Sequence, residues 1–275
     1  MRILKRFKII NACALALAAA CALCPAAQSG RINWFFSGAG GNKRPQALGG
    51  KYDPASYGAL FLGPEGEKKI YLTFDAGYAN ENVERVLDVL EKHGAKAAFF
   101  ILPGIIKNSK STVQRMIDGG HTLCNHSTHH GDISGITGKS ALKAELEGVE
   151  TLYRETFGRE LSKFFRPPEG AFSLQTLEIL RELGYTPVFW SFAYADWDNS
   201  RQPDPETAKA RLLDSAHDGM VLLLHPTSAT NAAILDFLLT EWEKQGYTFG
   251  TLDELKAATQ QPHARAYAYS LYYNS

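Results

Sequence analysis

Two histidines, His126 and His130, stand four residues apart directly after an apolar segment of the chain. On a helix, residues at this spacing share one face, so we expect a helical turn that presents both imidazoles to a single ion. Neutral imidazole nitrogen is a common ligand of zinc and other divalent metals. His129 lies one residue off that face and is the weaker candidate. Because the same spacing also arises by chance, the prediction of a metal site depends on other residues converging on the pair.

Four further reactive side chains follow apolar, strand-like segments: Asp75, Arg166, Asp196 and His225. Each has an ordinary structural explanation, since a strand-end aspartate often caps a helix and a buried histidine often only completes a hydrogen bond. Together with the histidine pair, however, they supply a carboxylate base, an arginine partner and a second, distant histidine. These are the components of metal-assisted hydrolysis.

Short β-rich segments alternate with helical patterns along most of the chain. We expect strands at 69–74, 95–102, 121–125, 164–165, 186–192, 220–224 and 247–249, and helices at 83–90, 108–118, 139–157, 174–183, 205–214 and 232–245. Such alternation, with continuous apolar strands, predicts parallel βαβ units whose sheet is buried on both faces. Functional sites of these sheets lie at the carboxyl ends of the strands, where the reactive residues fall. We therefore predict an α/β fold, a distorted (β/α) barrel of about seven parallel strands.

The N-terminus is typical of a secretory signal peptide: basic residues at 2, 5, 6 and 8 precede an apolar run to about residue 23 and small residues to Ala27. We expect a signal peptide at 1–27, an extended N-terminal arm at 28–66, a catalytic domain at 67–257 and a C-terminal tail at 258–275. The apolar run is short for a membrane-spanning helix. An uncleaved N-terminal anchor is the alternative, and membrane contact is expected only through that segment. The predicted location is secreted or extracytoplasmic.

The composition argues against nucleic-acid binding. The 275 residues are 45% hydrophobic and 21% charged, as in an ordinary globular chain. Lys and Arg together number 29, as do Asp and Glu, so no overall positive field favours nucleic acid. Cleavage near Ala27 would leave Cys124 as the single cysteine, which cannot form an intramolecular disulfide. We expect a monomer that binds no nucleic acid.

Five segments, in order, resemble the motifs of the polysaccharide deacetylases, the NodB-homology enzymes of carbohydrate esterase family 4. They are TFDAG at 73–77, HSTHH at 126–130, RPPEG at 166–170, DW at 196–197 and LLLH at 222–225, and the resemblance covers about 68–255. The stretches at 193–197 and 223–228 and the N-terminal arm look most like the N-acetylmuramic acid deacetylases of spore-forming bacteria. The resemblance implies a hydrolase that acts on peptidoglycan glycan strands of the spore cortex and leads to muramic δ-lactam.

The same resemblance implies a role for each site residue. His126 and His130 would hold a divalent metal, zinc first, with cobalt, manganese or magnesium as alternatives. Asp75 would be the base, His225 the acid that protonates the departing amine, and Arg166 the partner that keeps Asp75 ionised. Asp196 would either tether Arg166 or tune His225. The sugar groove would be lined by Tyr78, Pro168, Trp197 and Leu223, with the backbone N–H near Tyr78 facing the oxyanion, although Trp197 could equally belong to the core.

Ala76 departs from the family motif, which has at this position a second acid that binds the metal. A methyl group cannot coordinate an ion, so we expect an open and weak site completed by water and substrate.

Three alternatives to muramic acid deacetylation follow from the same residues: a deacetylase of N-acetylglucosamine or chitin-type glycans, an O-acetyl esterase, and a non-enzymatic glycan binder. The binder is disfavoured because the base and the acid are both retained. A muramic acid carboxylate would need a cationic partner, for which Lys43 or Arg44 in the arm is the candidate.

Overall fold

The computed structural model describes residues 30–260 of the chain. The expected signal segment and the residues after 260 lie outside this range. Within residues 30–260, no helix combines the length and apolar character needed to cross a membrane.

A curled sheet of parallel strands forms the centre of the molecule, and helices cover its outside. The strands are β1 Ile32–Asn33, β2 Phe36–Ser37, β3 Gln46–Ala47, β4 Lys69–Ala76, β5 Ala97–Ile101, β6 Thr122–Asn125, β7 Phe164–Phe165, β8 Ala171–Phe172, β9 Thr186–Pro187, β10 Phe192–Ala193, β11 Met220–Leu224 and β12 Thr248–Phe249. The helices are α1 Glu81–Lys92, α2 Pro103–Asn108, α3 Lys110–Asp118, α4 Lys139–Phe157, α5 Leu174–Glu182, α6 Pro205–Asp214, α7 Ala229–Lys244 and α8 Leu252–Gln260.

Seven parallel strands lie in the order β10-β11-β4-β5-β6-β7-β9, and β12 pairs with the start of β4. The predicted α/β barrel is thereby confirmed. The single strand expected at 186–192 is instead divided. Its start pairs with Phe164–Phe165, its end pairs with Leu222–Leu223, and the residues between leave the ladder. One stretch of chain therefore runs from one edge of the sheet to the other, and within residues 30–260 the edge strands β9 and β10 do not pair with each other, so the barrel is curled but not closed by hydrogen bonds.

Side chains alternate across the strands and so build separate inner and outer cores. On β4, Ile70, Leu72 and Phe74 pack outward under the helices, whereas Tyr71 points into the barrel. The barrel interior is apolar and includes Phe100 and Cys124. Helix α8, which the sequence pattern did not predict, spans the expected domain boundary at residue 257 and adds Leu252 and Leu255 to this interior. Below the site, the barrel is thus filled by side chains.

The N-terminal arm packs along the barrel wall. Strand β1 pairs antiparallel with β8, and β2 pairs with β3. Leu60 bridges the gap in the divided strand, since its N–H donates to Pro187 O at 2.8 Å and its carbonyl accepts from Phe189 N at 2.8 Å. The arm therefore contributes backbone partners that the sheet itself lacks at this position.

Candidate active site

Asp75 is the penultimate residue of β4. Its side chain points into the upper end of the barrel, where it pairs with Arg166. Arg166 Nη1 donates to Asp75 Oδ1 at 2.7 Å, and Nη2 donates to Thr73 Oγ1 at 2.8 Å. The arginine side chain is fully buried, with its guanidinium 4.1 Å above the Phe100 ring. Its Nε bonds to Val188 O at 3.2 Å. This network of donors and acceptors holds both charged groups rigidly in place.

Burial by itself would raise the pKa of Asp75, but the positive charge of Arg166, with smaller contributions from His126 and His225, lowers it below the ordinary value. Asp75 is therefore ionised at neutral pH, as a general base must be.

His126 follows β6 and directs its Nε2 toward Asp75. Its Nδ1 lies 2.9 Å from Arg166 O, an acceptor, so Nδ1 carries the proton and Nε2 keeps a free lone pair. The Nε2 atom lies 3.5 Å from Asp75 Oδ2. Burial lowers the pKa of His126 to about 4. The imidazole is thus neutral at physiological pH, which is the form that ligates metal.

His126 and His130 lie in a loop, so the predicted helical turn is wrong. The Asn125 carboxamide oxygen accepts from Ser127 N at 2.9 Å, and Ser127 adopts φ 73°. His130, with φ 54°, donates its N–H to Ser127 Oγ at 2.9 Å. These bonds fold the loop back, and the two imidazole centroids lie 4.9 Å apart at an angle of 73°. Local side-chain hydrogen bonds, rather than helical spacing, bring the rings together.

Glu145 on α4 anchors the other side of this loop. Its carboxylate accepts from Thr128 N at 3.2 Å and lies 2.7 Å from His129 Nδ1, and its carbonyl accepts from Thr128 Oγ1 at 2.7 Å. His129 is thereby directed to α4, away from His126, in agreement with its rank as the weaker candidate.

His225 follows β11 and is paired with Asp196. The His225 N–H donates to Asp196 Oδ2 at 2.8 Å, and Nδ1 lies 2.7 Å from Oδ1. Of the two roles expected for Asp196, the bonds match the tuning of His225. Burial by itself lowers the pKa of His225, but the hydrogen bond and charge of Asp196 raise it above the ordinary value. The ring therefore retains a proton that it can donate.

The residues expected to line the sugar groove differ in exposure. Tyr78 is 50% exposed and Trp197 61% exposed, and the Trp197 ring lies 6.3 Å from that of His225. Trp197 is thus at the surface rather than in the core. Leu223 and Pro168 are buried, Leu223 two residues before His225 in β11 and Pro168 in a short 3-10 turn after Arg166. The two exposed aromatic rings are the groups available for stacking on sugars.

Arg44 does not lie at the site. Its guanidinium donates to the carbonyls of Gly63, Pro64 and Asp218, near the start of β11 and so at the opposite end of the barrel from His225. The proposed contact with a substrate carboxylate is therefore wrong for Arg44, because the side chain is committed to backbone acceptors.

The donors available for a metal are the two imidazoles. Among residues 30–260, no three His, Cys, Asp or Glu side chains form a metal-binding group. Ala76, the last residue of β4, is fully buried and its methyl group offers no donor atom. The free Nε2 of His126 and the neighbouring His130 ring, with centroids 4.9 Å apart, offer two imidazole donors to one ion, which leaves its other positions for water and substrate.

Five residues that contact the site were not anticipated from the sequence: Thr73, Asn125, Glu145, Tyr194 and Asn231. The last two belong to the pair of Asp196 and His225, because Tyr194 donates to Asn231, which donates to Asp196. Most of the five interrupt an apolar or helical pattern with a polar side chain. Thr73 and Asn125 in buried strands are examples, since a polar group in such a position needs a partner. That signal could have marked them, but their partners come from distant parts of the chain.

Comparison with known proteins identifies the family. The model for polysaccharide deacetylases matches residues 63–188. The chain is 39% identical to the peptidoglycan-N-acetylmuramic acid deacetylase PdaA of Bacillus subtilis over 88% of this chain and 92% of that protein. It is 32% identical to the peptidoglycan-N-acetylglucosamine deacetylase PgdA of Listeria monocytogenes, over 68% of this chain and 39% of PgdA.

The solved structure of Bacillus subtilis PdaA, a family 4 carbohydrate esterase, superimposes with a TM-score of 0.77 at 36% identity, covering 82% of this chain and 97% of that one. A family 4 carbohydrate esterase from Bacillus anthracis gives a TM-score of 0.69 at 33% identity, covering 85% and 99%. The five motifs, the barrel and the relatives agree, and the chain therefore belongs to the polysaccharide deacetylases of carbohydrate esterase family 4.

Proposed function

We propose that this hydrolase removes the N-acetyl group from N-acetylmuramic acid in peptidoglycan glycan strands, outside the cytoplasmic membrane. The similarity to PdaA over almost the whole length of both proteins supports the choice of sugar. The observation that carries the chemistry is the paired arrangement of Asp75 with Arg166 and of His225 with Asp196. One pair keeps a base ionised, and the other keeps an acid protonated.

The order of the strands places the proposed base between the proposed acid and the histidine pair. Strand β4, with Asp75, lies between β11, with His225, and the strands that lead to His126. Asp75 accepts the proton of the attacking water, since its carboxylate is ionised and Arg166 holds it in position. Attack on the acetamide carbonyl gives a tetrahedral oxyanion, and the backbone N–H groups near Tyr78, which follows the end of β4, are its proposed donors. His225 then protonates the amine as the C–N bond breaks.

A divalent ion, with zinc as the first candidate, would be held by His126 and His130. When bound, it supplies Lewis acidity that polarises the carbonyl and lowers the pKa of water. The two-imidazole donor set and the apolar side chain at Ala76 favour modest affinity.

A deacetylase of N-acetylglucosamine is the second candidate, supported by the similarity to PgdA. One cation near these motifs in the sequence bears on the choice. Arg31 contacts Asp132, two residues after His130, at 2.5 Å and Glu169, three residues after Arg166, at 3.4 Å. Its guanidinium is therefore already paired with two protein carboxylates and would have to exchange one of them to bind a substrate carboxylate.

The decisive experiment is incubation of the mature protein with peptide-stripped peptidoglycan, followed by muramidase digestion and mass spectrometry of the products. Loss of acetyl from muramic acid is the expected result of this incubation. In sporulating cells, the deacetylated muramic acid is expected to be converted to δ-lactam. Comparison of kcat/KM with chitohexaose as substrate is the control, and O-acetylated xylan tests the esterase alternative. Higher kcat/KM on chitohexaose would reassign the substrate to N-acetylglucosamine glycans.

A further inference from the structure

Asn231 is a polar residue in a position that helix formation alone does not explain. It is the third residue of α7 and is 1% exposed, among apolar residues of that helix. The backbone N–H of Asn231 is already capped by Ser228 Oγ at 3.1 Å, so the helix start does not need the Asn231 side chain. A buried asparagine therefore needs specific partners.

The partners of Asn231 are the two members of the acid pair. Its Nδ2 donates to Asp196 Oδ2 at 2.5 Å and to the His225 backbone carbonyl at 3.0 Å. Both partners can only accept, so the amide nitrogen must face them. The amide oxygen in turn accepts from the hydroxyl of Tyr194, which is 7% exposed. Every polar atom of the Asn231 side chain is thus used, and its orientation is determined.

The remaining donors to the Asp196 carboxylate come from His225 itself, through its N–H and Nδ1. Within residues 30–260, Asn231 supplies the one hydrogen bond that reaches this carboxylate from outside the pair. Asp196 and His225 stand in separate loops, after β10 and after β11. The bond from α7 therefore connects both loops to a rigid helix.

We infer that Asn231, held by Tyr194, is a positioning residue that sets the orientation of Asp196 and the acid strength of His225. Its N–H dipole presents positive charge to the carboxylate and so weakens the pull of Asp196 on the imidazolium proton. The other charged groups that act on the ring are Asp75 and Arg166. His225 thereby remains a stronger acid than the Asp196 pair alone would allow, which favours proton transfer to the leaving amine.

The test uses Asn231→Leu, which has similar volume and no polar atoms, and Tyr194→Phe, which removes only the hydroxyl. In Asn231→Leu we expect kcat to fall roughly 10-fold, part of the factor of about 100 to 10,000 that a placed acid supplies, with KM nearly unchanged. The alkaline limb of the kcat profile should move up by about 0.5 pH unit, because loss of the dipole makes His225 a weaker acid. Tyr194→Phe should give a smaller change in the same direction.

Thr230→Val is the matched control. Thr230 is the neighbouring buried residue of α7 and its hydroxyl bonds to Pro203 O at 2.7 Å, away from the pair. It should lower the melting temperature without moving the pH limb. A direct titration of His225 by NMR, in the protein labelled on histidine, follows the same shift without any substrate and so does not depend on which glycan is deacetylated. An unchanged His225 titration in folded Asn231→Leu, or a pH limb that moves equally in Thr230→Val, would overturn the inference.

Discussion

Asp75 interacts with the charges of Arg166, His126 and His225. Its negative charge can be removed without changing the shape of the side chain. In Asp75→Asn the side-chain oxygen can still accept from Arg166 Nη1, so the fold should persist while the base is lost. We expect kcat to fall on the order of 100- to 10,000-fold. Steady-state kinetics at neutral pH measure the loss, and near-ultraviolet circular dichroism checks the fold. A variant that keeps a tenth of the wild-type kcat would assign the base to another group.

The pair of Asp196 and His225 predicts a defined pH dependence. His225 acts in its protonated form, so activity is lost as the pH rises through its pKa, which Asp196 raises. In Asp196→Asn, burial of the ring dominates and the pKa falls, so the alkaline limb should move to lower pH. Asp75 acts ionised and its pKa is lowered, so the acid limb should stay in place. A kcat profile from pH 4 to 10 tests both limbs. An alkaline limb at its wild-type position would contradict the assignment of the acid.

Ala76 is the residue that limits metal binding in our proposal. Ala76→Asp offers an anionic ligand and should tighten binding of zinc, as measured by calorimetric titration of the metal-free protein. Because position 76 is fully buried, the added carboxylate should also lower the melting temperature of the metal-free form, and metal should restore it. The control is a His126→Ala, His130→Ala double variant. If that variant bound zinc as tightly as the wild type, the ion would have to bind elsewhere.

At the level of elements, helix α4 shapes the histidine loop through a glycine. A Cβ at Gly148 would lie 2.3 Å from Thr128 Oγ1 and 2.9 Å from its Cγ2. Thr128 precedes His130 by two residues and bonds to Glu145 on the same helix. The glycine therefore allows the loop to seat against α4, although glycine costs a helix about 1 kcal/mol relative to alanine.

Gly148→Ala should thus reduce metal affinity and kcat even though it favours the helix, because the loop must shift to make room. Gly138→Ala, at the start of the same helix with no atom within 4 Å of its new Cβ, is the matched control and should leave both quantities unchanged. Adding Thr128→Ala to Gly148→Ala should recover part of the loss. Equal metal affinity in Gly148→Ala and the wild type would show that the loop is not set by this contact.

At the scale of the whole molecule, the N-terminal arm packs against residues 189–190, which lie next to Arg166. Trp34 is 6% exposed, stacks on Phe189 with centroids 4.3 Å apart and donates its Nε1–H to Trp190 O at 2.9 Å. The carbonyl of Phe189 in turn accepts from Arg166 at 3.4 Å. The arm thereby packs against the segment between β9 and β10, and this segment in turn bonds to the buried Arg166.

Trp34→Ala should lower the free energy of unfolding by about 3–5 kcal/mol and also lower kcat, because the backbone that orients Arg166 loses its support. Phe35→Ala is the control at the adjacent position, where the side chain is 52% exposed, and should change both little. Urea denaturation and steady-state kinetics give the two readouts. Similar losses of stability in the two variants would show that the arm does not pack as described.

The sequence by itself determined the fold class and the principal reactive residues. Apolar segments such as 220–224 and 139–157 predicted a strand and a helix with the bounds that the structure has, because their periodicity and end signals are local. The five motifs identified the family and the site, since parallel strands place their carboxyl ends at one edge of the sheet.

Tertiary structure alone decided how those residues act. The helical turn at His126 was replaced by a loop, because Asn125 and Glu145 offer its backbone partners that no local pattern reveals. The strand expected at 186–192 was divided between two sheet edges, since its pairing at each edge depends on strands far apart in sequence. Asp196 pairs with His225, which lies 29 residues further along the chain. Asn231, in helix α7, donates a hydrogen bond to Asp196. These outcomes depend on long-range packing, which spacing along the chain does not encode.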